Sequence, residues 1–215
     1  MNRARLPRKY LERILTNKHR FGVIYGPMIS EEIRMGRHAF ADVALIDPAD
    51  FVTVRRLFQG SRLICMQVSD MHGGSWYVIL KNVYAIVFGV SDELKLGDNM
   101  RGHLMVTALA ELSAIGKYFG AETATPYSYA GLGDLTSTAT SENSHHHELG
   151  RKLASGQCVK ENITGEGIHT LKMIEKYQLF NRQEYPLFQL VNDIVCAPDE
   201  LVKRLETYFE QLKTW

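Results

Sequence analysis

The sequence has few cysteines, almost no surplus of charge and no long apolar run, and each absence narrows the class of protein. The cysteines, Cys65, Cys158 and Cys196, are widely spaced and odd in number, which favours reduced thiols in a cytoplasmic protein over a disulfide framework or a metal site. The formal net charge is +1, whereas a nucleic-acid binder usually has a strongly basic face. No apolar run reaches the length of a membrane span, and the N-terminus lacks the apolar segment of a signal peptide.

A dinucleotide-binding fingerprint is also absent. No G-x-G-x-x-G motif follows a predicted strand, and the pair Gly131 and Gly133 lies in a predicted loop without a third glycine. The sequence therefore gives no sign of a nucleotide-binding loop of this type.

The pattern that is present changes along the chain. Residues 21–70 predict the order β, β, α, β, with Asp47 and Pro48 as the N-cap and first position of the helix. A sheet this small has edges and faces that need cover, which predicts a homo-oligomer or a partner chain over it. Residues 1–20 are locally basic with helical spacing of apolar residues, typical of a solvated surface helix or of a docking surface.

Helices dominate the rest of the chain. The 120–143 segment, rich in Gly, Ser, Thr and Pro, predicts a loop between them. Apolar periodicity predicts helices at 76–90, 104–119, about 145–155, 166–178, 187–196 and 199–213.

Lys81 is unusual because it lies in the middle of an apolar predicted helix, WYVILKNVYAIVFGV. Burial of such a lysine costs desolvation free energy unless the side chain extends to solvent or has a polar partner. It is either a snorkelling side chain or a general base or hydroxyl-orienting group at a cleft. Asn82, which follows directly, can both donate and accept hydrogen bonds.

Asp134 follows the two glycines of GLGD. It either caps a turn or helix, or it orients Lys81 across a cleft. Ser144 can begin a helix whose free N–H groups favour an anion such as phosphate. Glu166, between Gly165 and Gly167, is typical of a loop-to-helix turn with an acid in the first helical turn.

The run His145, His146 and His147 suggests a metal site at first sight. Consecutive helical residues point in different directions, however, so we predict no metal site here. The run is typical of polar residues at a helix start, and partly protonated imidazoles that bind an anion are the other interpretation.

Taken together, four segments resemble the bacterial NAD(P)-dependent glycerol-3-phosphate dehydrogenases. They occur in the family's order and spacing, and the resemblance runs from about Phe21 to the C-terminus. The segments, each followed by the family's version, are GPMISEEIRMG (SGPSFAEEVARG), LKNVYAIVFGVSDELKLGDNMRG (LKNVIAIAAGIADGLGLGDNAKA), GLGDLTSTAT (GLGDLVLTCT) and TGEGIHTLKMI (VVEGVRTAKAV).

The resemblance implies a mainly α fold. Residues 76–215 would form an all-helical substrate-binding domain of the glycerol-3-phosphate dehydrogenase / 6-phosphogluconate dehydrogenase type. Residues 1–75 would be a small β-β-α-β remnant of a Rossmann-like nucleotide-binding domain. The cofactor implied is NAD or NADP, with the nucleotide-binding half expected to be absent from this chain.

The resemblance also implies a reaction and a set of roles. The reaction interconverts glycerol 3-phosphate, a small phosphate substrate, and dihydroxyacetone phosphate. The implied roles are Lys81 and Asp134 in catalysis, Gly26, Asn82 and Ser144 in substrate binding, and Glu166 on the cofactor side.

Three positions depart from the family pattern. His145 and His146 stand where an arginine and an asparagine are expected, and Met28 replaces a small hydroxyl residue. Neutral imidazole lacks the permanent bidentate grip of a guanidinium on phosphate. The alternative function is therefore a catalytically inactive, truncated member that acts as a binding or interaction module.

Overall fold

The computed structural model describes residue 14 and residues 19–157 and 164–213. The helix predicted within residues 1–20 lies almost wholly outside these ranges, and so does Cys158.

The N-terminal part is a mixed sheet with the strand order β1-β2-β3. The strands are β1 (Gly22–Tyr25), β2 (Ala39–Leu45) and β3 (Leu63–Val68). The β1 and β2 strands are antiparallel, whereas β2 and β3 are parallel. A parallel pair needs a crossover, and α2 (Phe51–Leu57) supplies it.

The predicted order β, β, α, β is confirmed, with one addition. A short helix, α1 (Ser30–Arg34), lies between β1 and β2. It escaped prediction because it is shorter than two helical turns, too short to show apolar periodicity. The predicted cap at Asp47 is confirmed, since its side chain accepts a hydrogen bond from Ala49 N ahead of the 3₁₀ turn Pro48–Asp50.

The remainder of the described chain is helical, which confirms the mainly α fold class. The helices are α3 (Met71–Glu93), α4 (Asp98–Tyr118), α5 (Asp134–Thr140), α6 (His145–Ala154), α7 (Glu166–Tyr177), α8 (Pro186–Cys196) and α9 (Leu201–Leu212).

Two expectations need correction. The helix predicted from Trp76 begins at Met71, because the Asp70 side chain accepts a hydrogen bond from Gly73 N and caps it. The 120–143 segment is not a continuous loop, since α5 lies within it. Its Leu135 and Ala139 are buried, so tertiary packing overrides the loop-like composition.

The centre of the helical body is α3, which packs against α4, α5, α6, α7 and α8. Its side chains Leu80, Val83 and Ile86 are 0% exposed. Where α6 crosses α3, the two backbones touch: a Cβ on Gly89 would collide with the His147 carbonyl oxygen, and one on Gly150 with that of Ile86. This crossing fixes the start of α6 relative to α3. None of the helices in the described ranges is long and apolar enough to cross a membrane.

Candidate active site

Lys81 is paired. Its Nζ donates hydrogen bonds to Asp134 Oδ1 at 2.6 Å and to Thr138 Oγ1 at 2.9 Å. The side chains of Lys81 and Asp134 are 15% and 7% exposed, which favours the paired interpretation over a lysine that extends to solvent. Burial raises the pKa of Asp134, while Lys81 and Thr138 act in the opposite direction. An ammonium carries three N–H donors, so one donor of Lys81 is left over for a ligand.

Asp134 reaches Lys81 because a wide π-type turn, Tyr129–Gly133, delivers it to the first position of α5. Gly131 is needed in this turn, since a Cβ there would collide with the carbonyl oxygens of Thr125 and Pro126. The buried Asp42 of β2 holds the turn by accepting a hydrogen bond from Ala130 N at 2.7 Å.

Asn82 and Glu166 meet across α3 and α7. Asn82 Nδ2 donates to Glu166 Oε2 at 3.1 Å. Beside them, His146 Nε2 accepts a hydrogen bond from Gly167 N at 3.1 Å. Burial lowers the pKa of His146, with Lys81 and His145 adding to the effect and Glu166 opposing it. Because a ring nitrogen accepts a hydrogen bond only when it carries no proton, the contact with Gly167 N requires a neutral imidazole.

The three histidines have different surroundings. His145 is exposed, His146 contacts α7, and His147 is buried with Nε2 2.8 Å from Asp92 Oδ2. Ser144 caps α6, because its Oγ accepts a hydrogen bond from His147 N at 3.3 Å. In the described ranges, no three or more His, Cys, Asp or Glu side chains are grouped so that they could hold a metal ion.

Gly26 ends β1 with a φ of +155°, which residues with side chains rarely adopt. A Cβ there would lie 2.9 Å from Ala41 Cα. The following Pro27 lies beside the turn that carries Asp134, since a Cβ on Gly133 would be 3.5 Å from Pro27 Cδ.

A cleft of about 460 Å³ opens between the loop after β1 and α5. The residues that line it include Pro27, Phe40, Ser137, Thr140 and Asn143.

The structure thus brings Lys81 to Asp134 and Asn82 to Glu166. Gly26 ends β1 and Ser144 caps α6, and the hydrogen bonds described for the two pairs include neither residue. Sequence reasoning missed Thr138. The signal was its spacing of four residues from Asp134, which is visible only if 134–140 is predicted as a helix.

The fold and this geometry define a class: a mainly α domain with a buried lysine–carboxylate pair, and with a cleft lined by other residues of the helix that carries the carboxylate. The family model described as "NAD-dependent glycerol-3-phosphate dehydrogenase C-terminus" matches residues 70–203. The chain belongs to this family, and the resemblance drawn from the sequence is confirmed.

Relatives agree with this assignment. The glycerol-3-phosphate dehydrogenase [NAD(P)+] of Synechococcus elongatus is 34% identical over 85% of this chain and 62% of its own length. A second, from Salinibacter ruber, is 29% identical over 90% of this chain and 59% of its own length. This chain therefore spans about three-fifths of the length of these relatives.

Solved structures give the same fold. Glycerol-3-phosphate dehydrogenase from Coxiella burnetii matches with a TM-score of 0.75 and 27% identity, over 86% of this chain and 60% of the other. The glycerol-3-phosphate dehydrogenase from Saccharomyces cerevisiae shares the fold at 22% identity, with a TM-score of 0.74 over 92% of this chain and 62% of the other.

Proposed function

We propose that this chain supplies the substrate side of an NAD(P)-dependent dehydrogenase that interconverts glycerol 3-phosphate and dihydroxyacetone phosphate. The observation that carries the proposal is the buried contact of Lys81 with Asp134 and Thr138. A bound nicotinamide would supply the hydride chemistry at C2 of the substrate, and Glu166 is the residue of this chain that we place on its side.

Lys81 moves the proton. In oxidation its neutral amine takes the proton of the C2 hydroxyl while the C–H bond breaks and the C=O bond forms. In reduction its ammonium returns that proton to the carbonyl oxygen. Asp134 and Thr138 occupy two of its donors and aim the third at the substrate oxygen.

The remaining roles follow from position. Asn82 uses its amide N–H on Glu166, which leaves its carbonyl oxygen for a substrate hydroxyl. Gly26 and Ser144 border the substrate, and the exposed Glu166 faces the cofactor side. We place the boundary between the two domains near residue 75, which is close to the start of α3 at Met71.

The first test is a titration of the chain itself with dihydroxyacetone phosphate, followed by the amide NMR signals of Asn82 and Asp134. We expect saturable shifts that glycerol does not produce. Lys81→Met should weaken this binding about tenfold, whereas Lys117→Met, at the exposed end of α4, should leave it unchanged. Equal affinity in wild type and Lys81→Met would contradict the role of Lys81.

The second test is turnover, measured as NADH or NADPH consumption with dihydroxyacetone phosphate. Because the sequence has no dinucleotide fingerprint, we expect no turnover from this chain alone. Joined to the nucleotide-binding part of the Synechococcus elongatus relative, it should become active, and Lys81→Met should then lower the rate by about 10²- to 10⁴-fold. A folded, substrate-binding but inactive fusion would favour the alternative below.

The alternative is a catalytically inactive binding or interaction module. The observation that favours it is the pair His145 and His146, where the resemblance leads one to expect an arginine and an asparagine. His146 is engaged with Gly167, so it is not a direct replacement for a phosphate-gripping cation.

Three finer points belong to the same proposal. The cofactor is NAD or NADP, and the location is cytoplasmic. A homo-oligomer or a partner chain covers the sheet; exposed apolar side chains of the edge strand β3 and of α2 support this, namely Ile64, Met66, Val52 and Leu57.

A further inference from the structure

The first turn of α7 is capped from another helix. Its N-cap residue is Gly165, which has no side chain with which to satisfy the free N–H groups of the first turn. Gly167 N instead donates to His146 Nε2 of α6 at 3.1 Å. A side chain of α6 therefore does for α7 what Ser or Asp does when it caps its own helix.

Only a neutral imidazole can make this contact. A protonated histidine has two N–H donors and no acceptor, so Nε2 must be unprotonated and the ring proton must lie on Nδ1. The charged or titratable groups that face His146 are Glu166 on α7, Lys81 on α3 with its partner Asp134, and His145 on its own helix.

The contact lies where a small movement of α7 would reach the candidate active site. Gly167 packs so closely on α3 that a Cβ there would be 2.7 Å from Asn82 O and 3.1 Å from His146 Cδ2. The residue before it, Glu166, is the partner of the Asn82 side chain. Loss of the cap would therefore loosen the Asn82–Glu166 contact.

We propose that His146 is a positioning residue whose neutral imidazole holds the start of α7 against α3 and thereby fixes Asn82 and Glu166 for ligand binding. The link to substrate rests on the proposed function. Protonation of His146 removes the acceptor, so affinity for dihydroxyacetone phosphate falls as the pH drops through the histidine titration. This is opposite to the behaviour of an imidazolium that grips phosphate, for which affinity would rise in acid.

The test compares three variants with wild type over about pH 4 to 8, because histidine ordinarily titrates between about pH 5 and 8 and burial lowers the pKa of His146. His146→Asn keeps an acceptor oxygen but does not titrate. His146→Leu removes the acceptor at similar bulk. His169→Asn, an exposed histidine on α7 itself, is the matched control.

Two readouts are taken, the Gly167 amide shift in the ligand-free chain and the affinity for dihydroxyacetone phosphate. In wild type and His169→Asn, both should change with the His146 titration, and affinity should fall about tenfold in acid. In His146→Asn the Gly167 amide should not titrate, and affinity should follow only the second ionisation of the ligand phosphate, near about pH 6, so the fall in wild type is measured relative to this variant. At neutral pH its affinity should be near the wild-type value. His146→Leu should bind about tenfold more weakly at every pH.

The proposal is overturned if the Gly167 amide titrates in the same way in His146→Asn as in wild type, or if affinity rises in acid in wild type alone. Should His146→Leu fold poorly, the comparison of wild type with His146→Asn still decides the matter. If no form binds dihydroxyacetone phosphate at any pH, the proposed function fails. The cap is still supported in that case if the Gly167 amide titrates only in the variants that keep His146.

Discussion

The sheet and the helical body of this chain differ in how completely each is covered. In the helical body, large side chains such as Tyr84, Phe88 and Phe188 are at most 1% exposed. In the sheet, full burial is confined to β2, whose buried apolar side chains are alanines and a valine, and β3 has none. The helical body therefore completes its own core, whereas the sheet buries only its central strand β2 and leaves the edge strand β3 largely exposed.

The largest change in the free energy of unfolding should come from breaking the pair of Lys81 and Asp134 in the helical body. Asp134→Ala should lower the free energy of unfolding by about 3 kcal/mol, because it leaves the Lys81 charge largely buried without its carboxylate. Lys81→Met should cost about 1 kcal/mol or less, since a hydrophobic side chain of similar length suits the site. Urea unfolding measures both, and the same small cost for the two variants would show that Lys81 does not depend on Asp134.

Next in size is the crossing of α3 and α6. Gly150→Ala should cost about 1 to 3 kcal/mol, because the added methyl group meets the Ile86 carbonyl oxygen. Gly102→Ala in α4 is the matched control, since no heavy atom lies within 4 Å of a Cβ there; it should gain about 0.5 kcal/mol from helix propensity. Thermal unfolding in which Gly150→Ala is as stable as Gly102→Ala would contradict the close approach.

A smaller effect, visible through pH, is expected at Glu111. This buried carboxylate accepts hydrogen bonds from Leu187 N, Phe188 N and Tyr84 Oη, yet burial still raises its pKa. The folded state therefore holds the proton more tightly than the unfolded chain. The contribution of Glu111 to stability is complete below its unfolded pKa of about 4.3 and is lost as the pH rises through the folded value.

Glu111→Gln lacks this ionisation, so its stability relative to wild type should increase between about pH 4 and pH 7. Chemical unfolding at a series of pH values measures the difference. Glu148→Gln, a half-buried acid on α6, is a useful control. A constant difference across the series, or one that shrinks as the pH rises, would show that burial does not govern Glu111.

The smallest effect on stability should come from the exposed edge strand of the sheet, β3. Ile64 and Met66 of β3 are 44% and 51% exposed, so replacing both by lysine should change the free energy of unfolding of the isolated chain by about 0.5 kcal/mol or less. Self-association seen by sedimentation, however, should weaken if this edge is where a second copy binds. Val106→Lys on α4, 71% exposed, should alter neither property, and an equal effect from Val106→Lys would remove the distinction between the two regions.

The local sequence pattern was enough to predict an element where that element is long or carries its own capping side chain. The helices α7, α8 and α9 follow apolar stripes, and the turn after Asp47 follows from a side chain that caps its neighbour. The local pattern failed to predict an element where contacts with distant parts of the chain determine the secondary structure. The α5 helix is hidden in a Ser- and Thr-rich sequence because only its packing on α3 makes Leu135 a core residue.

The site shows the same division. The pairing of Lys81 with Asp134 was predictable because an apolar helix needs a partner for its lysine and the family resemblance named one. Thr138 and the contact of His146 with Gly167 were not, since both depend on how separate helices approach one another.

The backbone contact at Gly89 and Gly150 has a consequence for protein engineering. It sets the position of α6 on α3 by backbone contact, so the exposed position 145 can be randomised without moving the helix. A library that seeks a new substrate charge should vary position 145 and keep His146 and both glycines. Mutational tolerance should therefore change abruptly within this one helix, from permissive at His145 to intolerant at Gly150.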